Sequence, residues 1–124
     1  MKYLLLSINP QYVEQIISGK KYYEFRKFRC RGDVNKMLIY ETAPFKRIIG
    51  ETDIVEIIHD NVLKVWQKTK DGAGVSYDRY MQYYTGKSEA VAYKLDNLVL
   101  YYEPLTLADI GVSSAPQSYM YVDM

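Results

Sequence analysis

The apolar pattern changes twice within the first 28 residues, and this restricts the fold more than any other feature of the chain. Tyr3 to Ile8 is an unbroken apolar run of the length of a buried strand. Asn9-Pro10 then supplies a helix start, with Asn at the N-cap and Pro at the first helical position. Val13, Ile16 and Ile17 recur at helical spacing, and Gly19 provides the left-handed stop. From Tyr22 to Phe28 the period falls to two, that of a second strand. A strand, a short helix and a strand in so few residues predict a mixed, α+β architecture.

The remainder continues the pattern. Asn35 to Thr42 reads as a third strand, with Met37 and Ile39 opposite Leu38 and Tyr40, and Pro44 ends it. Arg47 to His59 is a long Ile-rich fourth strand in which Gly50 marks a bulge or a close backbone approach. Between Asn61 and Gly86 the period becomes helical again. Val62, Val65 and Trp66 follow an Asp60/Asn61 cap; after Gly72-Ala73-Gly74, a Ser76-capped helix carries Tyr80, Tyr83 and Tyr84. Glu89 to Leu95, Val99 to Tyr102 and Tyr119 to Val122 return to strand, with a helical turn at Leu105 to Ile110. Five or six strands with short helices predict a small mixed β-barrel, which hides strand edges. No repeat, linker or low-complexity tract is present, so residues 1–124 are read as one domain.

Composition excludes several classes. No apolar run approaches membrane-spanning length, and the N-terminus lacks a secretory signal pattern, so a cytoplasmic location is expected. One Cys and one His offer neither a disulfide framework nor a metal-ligand cluster, and no cofactor is expected. The basic surroundings of Cys30 would lower its thiol pKa, but no His or acid accompanies it in sequence as a nucleophile's partner would.

The net charge of +1 conceals a polarity. Residues 1–47 hold ten Lys/Arg and four Asp/Glu, whereas residues 48–124 hold six and eleven. From Lys20 to Arg31, six basic residues face Glu24 alone. Local potential of this kind steers phosphate-bearing ligands, while a sequence pI near 7.7 argues against extensive duplex-DNA binding.

The segment Ser18-Gly19-Lys20-Lys21-Tyr22-Tyr23-Glu24-Phe25-Arg26 holds the strongest candidate site. Strand alternation turns Tyr23 and Phe25 to a core and Tyr22, Glu24 and Arg26 to the other face, with Lys21 at the strand's start. A carboxylate at Glu24 suits the donors of a nucleobase edge or ribose, while Arg26 suits a phosphate. Catalytically, Glu24 would act as a general base toward a water or ribose hydroxyl, with Lys21 stabilising negative charge. Further candidate ligand contacts are Lys46 on the turn after Pro44, Glu51 as a second acid, and Tyr22 and Tyr40 as base-stacking rings. Ser7 is read as a local helix-start hydrogen bond.

These motifs, taken in order, resemble the ASCH domain family of the PUA-like superfamily. The matching residues are Ser7-Ile8-Asn9-Pro10, Ile16, Gly19-Lys20-Lys21, Glu24-Phe25-Arg26, Pro44-Phe45-Lys46 and Ile49-Gly50-Glu51. The likeness extends through the Trp66 helix to Ala90-Val91-Ala92-Tyr93. The resemblance implies a small barrel whose cleft, beside the helix-to-strand junction, meets RNA, a nucleotide or a modified nucleoside, in RNA processing or transcription-related regulation. Some ASCH proteins are amidohydrolases that deacetylate acetylcytidine with a Lys, a Thr and a Glu. Gly19, Lys21 and Arg26 match that pattern. Glu24 stands at the Thr position, and the loop expected to supply the acid reads Gly72-Ala73-Gly74. Binding is therefore the leading expectation. A hydrolase acting on a modified nucleoside or RNA at the same cleft is the alternative, and a protein-interaction module using the Tyr80 to Tyr84 region is a third.

Overall fold

The computed structural model describes residues 1–124. Six strands form one mixed sheet: β1 (Lys2–Ile8), β2 (Tyr23–Arg26), β3 (Lys36–Glu41), β4 (Arg47–Asn61), β5 (Glu89–Leu105) and β6 (Tyr119–Asp123), in the spatial order β2-β5-β4-β3-β1-β6. Only β1 and β3 run parallel. Helix α1 (Pro10–Ile17) links β1 to β2, and α2 (Val62–Thr69) and α3 (Tyr77–Tyr83) fill the connection between β4 and β5.

Both faces of the central strands are buried, and the alternation shows in the core. Leu4, Leu6, Met37 and Ile39 meet Val13 and Ile16 of α1, while Tyr3, Leu5, Leu38 and Tyr40 pack on the opposite face with Ile48 and Val122. A third cluster joins Tyr23 and Phe25 to Val62, Val65, Tyr80 and Tyr84. Burial of this apolar area is the main source of stability. No buried side-chain nitrogen or oxygen lacks a hydrogen-bond partner.

The caps follow local chemistry with one exception. Asn61 Oδ1 accepts from the Lys64 amide and Ser76 Oγ from the Arg79 amide. Asn9 occupies the N-cap of α1 without a side-chain cap; its Oδ1 accepts instead from Thr42 Oγ1 at 3.2 Å. Gly19 has the left-handed conformation expected of a helix stop, φ 84°. Gly50 sits where the β4–β5 register shifts, and a Cβ there would collide with the Val99 carbonyl. β5 runs unbroken from Glu89 to Leu105, where the sequence had suggested two strands; Asn97 absorbs the irregularity with φ 59°.

The expected barrel is not closed by backbone pairing, because β2 and β6 end the strand order with no ladder between them. Side chains span part of the seam. Arg26 Nη2 donates to the Ser7 carbonyl at 3.0 Å, Phe28 stacks on Tyr119 at 3.8 Å, and the Arg31 amide donates to Tyr121 Oη at 3.1 Å. Beside the seam, at Ser7 and Arg26, a cleft opens toward α1 and α3.

Candidate functional site

The cleft has a volume of about 510 Å³, within the size range of small-molecule sites. The end of β1 (Ser7 to Asn9), Tyr12 of α1, Lys21, Glu24, Phe25 and Arg26 line one part of it. Val75, Arg79, Tyr80, Gln82 and Tyr83, from α3 and the residues before it, line the other.

The floor is an ion triad. Glu24 Oε2 accepts from Arg26 Nη2 at 2.8 Å, and Glu24 Oε1 lies 3.7 Å from Lys21 Nζ. Lys21 is 3% and Glu24 7% exposed, so the charges are nearly dry. The Lys21 ammonium donates to the Ala73 carbonyl at 2.6 Å and lies 5.0 Å from the Phe25 ring and 5.5 Å from the Tyr12 ring. Burial holds the Lys21 pKa below its ordinary value, against the attraction of Glu24 that raises it; Arg26 adds a smaller lowering. Glu24 is the only acidic residue lining the cleft. Two cations against one carboxylate leave the floor one positive charge in excess, and Arg79 adds another at the rim. An anionic guest balances that excess.

The loop between α2 and α3 builds the site through its backbone. Gly74 has φ 67°, and a Cβ there would come within 2.6 Å of Lys21 Cβ and of Gln15 Oε1. A Cβ on Gly72 would enter the Tyr22 ring, whose own amide donates to the Gly72 carbonyl at 3.0 Å. The glycines in this loop let it lie against Lys21 and present the Ala73 carbonyl to it.

The other sequence candidates lie elsewhere. Tyr22 does not line the cleft; its ring rests against Gly72 and is 5.1 Å from that of Tyr23. Tyr40 is buried in the core on the far face of β3. Lys46 is an exposed turn residue with φ 53° and no part in the cleft. Glu51 accepts from Tyr101 Oη at 2.8 Å and Tyr3 Oη at 3.3 Å, in a separate polar network. Ser7 does reach the cleft, but its hydroxyl donates to the Pro116 carbonyl at 2.8 Å and makes no local helix-start bond. Burial pushes the Cys30 thiol up, contrary to the lowering expected from its basic neighbours. Tyr80 and Tyr84 are buried, whereas Tyr77 and Tyr83 are exposed.

Sequence reasoning missed Tyr12, Arg79 and Tyr83 as cleft residues. Arg79 Nη1 donates to Tyr12 Oη at 3.1 Å, across 67 positions of sequence, and Lys27 Nζ lies 4.4 Å from the Tyr83 ring. Burial raises the Tyr83 pKa, and Glu24 adds to that rise while Arg26 opposes it. The one local signal was that Tyr12 falls beside the Val13–Ile16 stripe of α1 and Tyr83 beside the buried Tyr80–Tyr84 pair.

The chain is similar to known proteins. The chain is 27% identical over 120 residues to the ATP synthase subunit alpha of Ureaplasma parvum, a match covering 96% of this chain and 15% of that protein. It is 30% identical over 95 residues to an ASCH domain-containing ribonuclease of Zymomonas mobilis, covering 76% of this chain and 64% of that one. The chain thus spans well under two thirds of the first relative and just under two thirds of the second. The crystal structure of ASCH from Zymomonas mobilis superposes with a TM-score of 0.86 at 26% identity, covering 98% of this chain and 87% of that one. The ASCH domain profile matches residues 6–103, and the chain belongs to the ASCH domain family.

Proposed function

We propose that the cleft between β2, α1 and α3 binds RNA, with one nucleotide unit entering as far as the Lys21–Glu24–Arg26 floor. The observation that carries the reading is the charge of that floor: a nearly dry Lys21 and a partly buried Arg26 share one carboxylate in a cavity sized for a nucleotide. Glu24 Oε1 accepts from the base edge or a ribose hydroxyl. Lys21, with one donor committed to Ala73, turns another to the ligand. Arg26 takes a different role from the phosphate contact expected of it, because its Nη2 serves Glu24 and the Ser7 carbonyl. It orients Glu24 and holds the seam. The relative named as a ribonuclease supports an RNA ligand over a free nucleoside, and RNA handling agrees with a cytoplasmic role.

The test is an anisotropy titration of a labelled ten-nucleotide RNA at rising salt. Binding that weakens in proportion to the phosphates neutralised, with a log–log slope of about −0.7 per contact for a single strand, supports the reading. A slope of zero removes phosphate contacts from it.

A second reading, cleavage of the bound RNA, is favoured by the nearly dry Lys21–Glu24 pair and by the same relative. Glu24 would take the proton of a 2′-hydroxyl while its oxygen attacks the adjacent phosphorus. The 5′-oxygen of the next nucleotide leaves and is protonated, giving a 2′,3′-cyclic phosphate and a 5′-hydroxyl. Lys21 would stabilise the charge that builds on the phosphoryl oxygens. Replacing the attacked nucleotide by its 2′-deoxy form abolishes this reaction and leaves binding; cleavage that persists at the deoxy position contradicts it.

A further inference from the structure

We infer that Arg79 and Tyr12 form a second subsite at the mouth of the cleft, one that takes a phosphate flanking the nucleotide in the floor. The inference rests on the RNA reading above and assigns its ligand a chemistry: a phosphorylated nucleotide or an oligonucleotide, in preference to a nucleoside. Arg79 is set by α3, whose N-cap Ser76 accepts from the Arg79 amide at 3.1 Å. Its guanidinium reaches α1 and spends one donor on Tyr12 Oη. No carboxylate lies within ion-pair distance of it, unlike Arg26, Arg31 and Arg47, which all have one.

Three features make the pair fit for a phosphate. The Tyr12 hydroxyl accepts from Arg79 through a lone pair, which leaves its own proton for an anion. The guanidinium keeps four of its five N–H donors, and a planar fork of donors matches phosphate oxygens. Glu24, the sole carboxylate in the cleft, is already engaged by Lys21 and Arg26, so it does not compete for Arg79. Tyr12 also borders the floor, since its ring lies 5.5 Å from Lys21 Nζ. The two subsites are thus adjacent. Lys27, above the Tyr83 ring, extends the positive rim beyond the pair.

The test compares each common ribonucleoside with its 5′- and 3′-monophosphates by calorimetry, for wild type, Arg79→Gln and Tyr12→Phe, together with salt titrations of the ten-nucleotide RNA. The expected result is that one monophosphate series binds at least about ten-fold more tightly than the nucleosides, the gain of a charge-assisted hydrogen bond. Arg79→Gln removes that gain and Tyr12→Phe reduces it. For RNA, Arg79→Gln lowers the salt slope by about 0.7. RNA binding with an unchanged slope in Arg79→Gln, or a phosphate gain that survives it, overturns the subsite and leaves the floor reading standing. Absence of binding by every nucleotide and by RNA overturns both.

Discussion

Lys21 and Glu24 face each other across 3.7 Å in the cleft floor, and the carboxylate also takes a 2.8 Å bond from Arg26. The two partners of this arrangement are not equivalent. Removing Lys21 leaves a balanced Glu24–Arg26 pair, whereas removing the Glu24 charge leaves two desolvated cations side by side. Glu24→Gln is therefore expected to destabilise the fold by about 3 kcal/mol, as when one partner of a buried pair is lost. Lys21→Met, which keeps the stem between Tyr12 and Phe25, is expected to cost less, about 1–2 kcal/mol, because it leaves the buried Ala73 carbonyl without its donor. Urea unfolding of the three proteins checks the asymmetry; equal losses would mean that the triad is solvated.

The loop glycines give a second prediction. Gly74→Ala combines a left-handed backbone with a collision at the Lys21 side chain, and overpacking of this kind costs about 1–3 kcal/mol. The same substitution at Gly111, also left-handed but with nothing within 4 Å of the added Cβ, carries only the backbone strain. Thermal melts should rank Gly74→Ala well below Gly111→Ala. RNA affinity should fall in the first variant and hold in the second.

Alkaline pH separates the tyrosines from Lys21. Burial raises the pKa of Tyr3, Tyr80, Tyr83, Tyr84, Tyr93 and Tyr101 above the ordinary 10.0. Below pH 10 both folded and unfolded states keep these protons. Above it the unfolded chain loses them first, so the stability these groups contribute declines as pH climbs toward their folded values. Lys21 has the opposite sign: its folded pKa lies below the ordinary 10.5, so stability increases with pH between the two values. Six tyrosines outweigh one lysine, and a net loss of stability above pH 10 is expected. In Lys21→Met the loss should be steeper just below pH 10.5, since the opposing increase is gone. Unfolding followed by tyrosinate absorbance tests both points.

The parts of the site legible in the sequence are those made by neighbours. Lys21, Glu24 and Arg26 lie within six residues on a strand and its approach, so alternation alone brought the acid and the base to one face. Gly19 and Ser76 carried enough local chemistry to mark their helix ends. Tyr22 failed because β2 begins at Tyr23; the preceding residue follows the Gly72 loop and is not bound by strand alternation. Tyr40 failed because both faces of β3 are buried, which a period of two cannot reveal. Arg79 and Tyr12 meet only because the fold brings α3 opposite α1 across the cleft, and no local pattern encodes that. The barrel expectation failed at a single seam, where Arg26, Phe28 and Arg31 bridge with side chains and with one amide in place of a strand ladder.

The most direct measurement of the central claim is a titration of isotopically labelled protein with the ten-nucleotide RNA, read as amide and side-chain chemical-shift changes. The largest changes should fall on Tyr12, Lys21, Glu24, Arg26, Arg79 and Tyr83. They should be absent in Lys21→Met under conditions where that variant remains folded. Changes centred on the opposite concavity, where Ile17, Phe45, Leu100 and Tyr102 are exposed, or no changes at saturating RNA, would contradict the account.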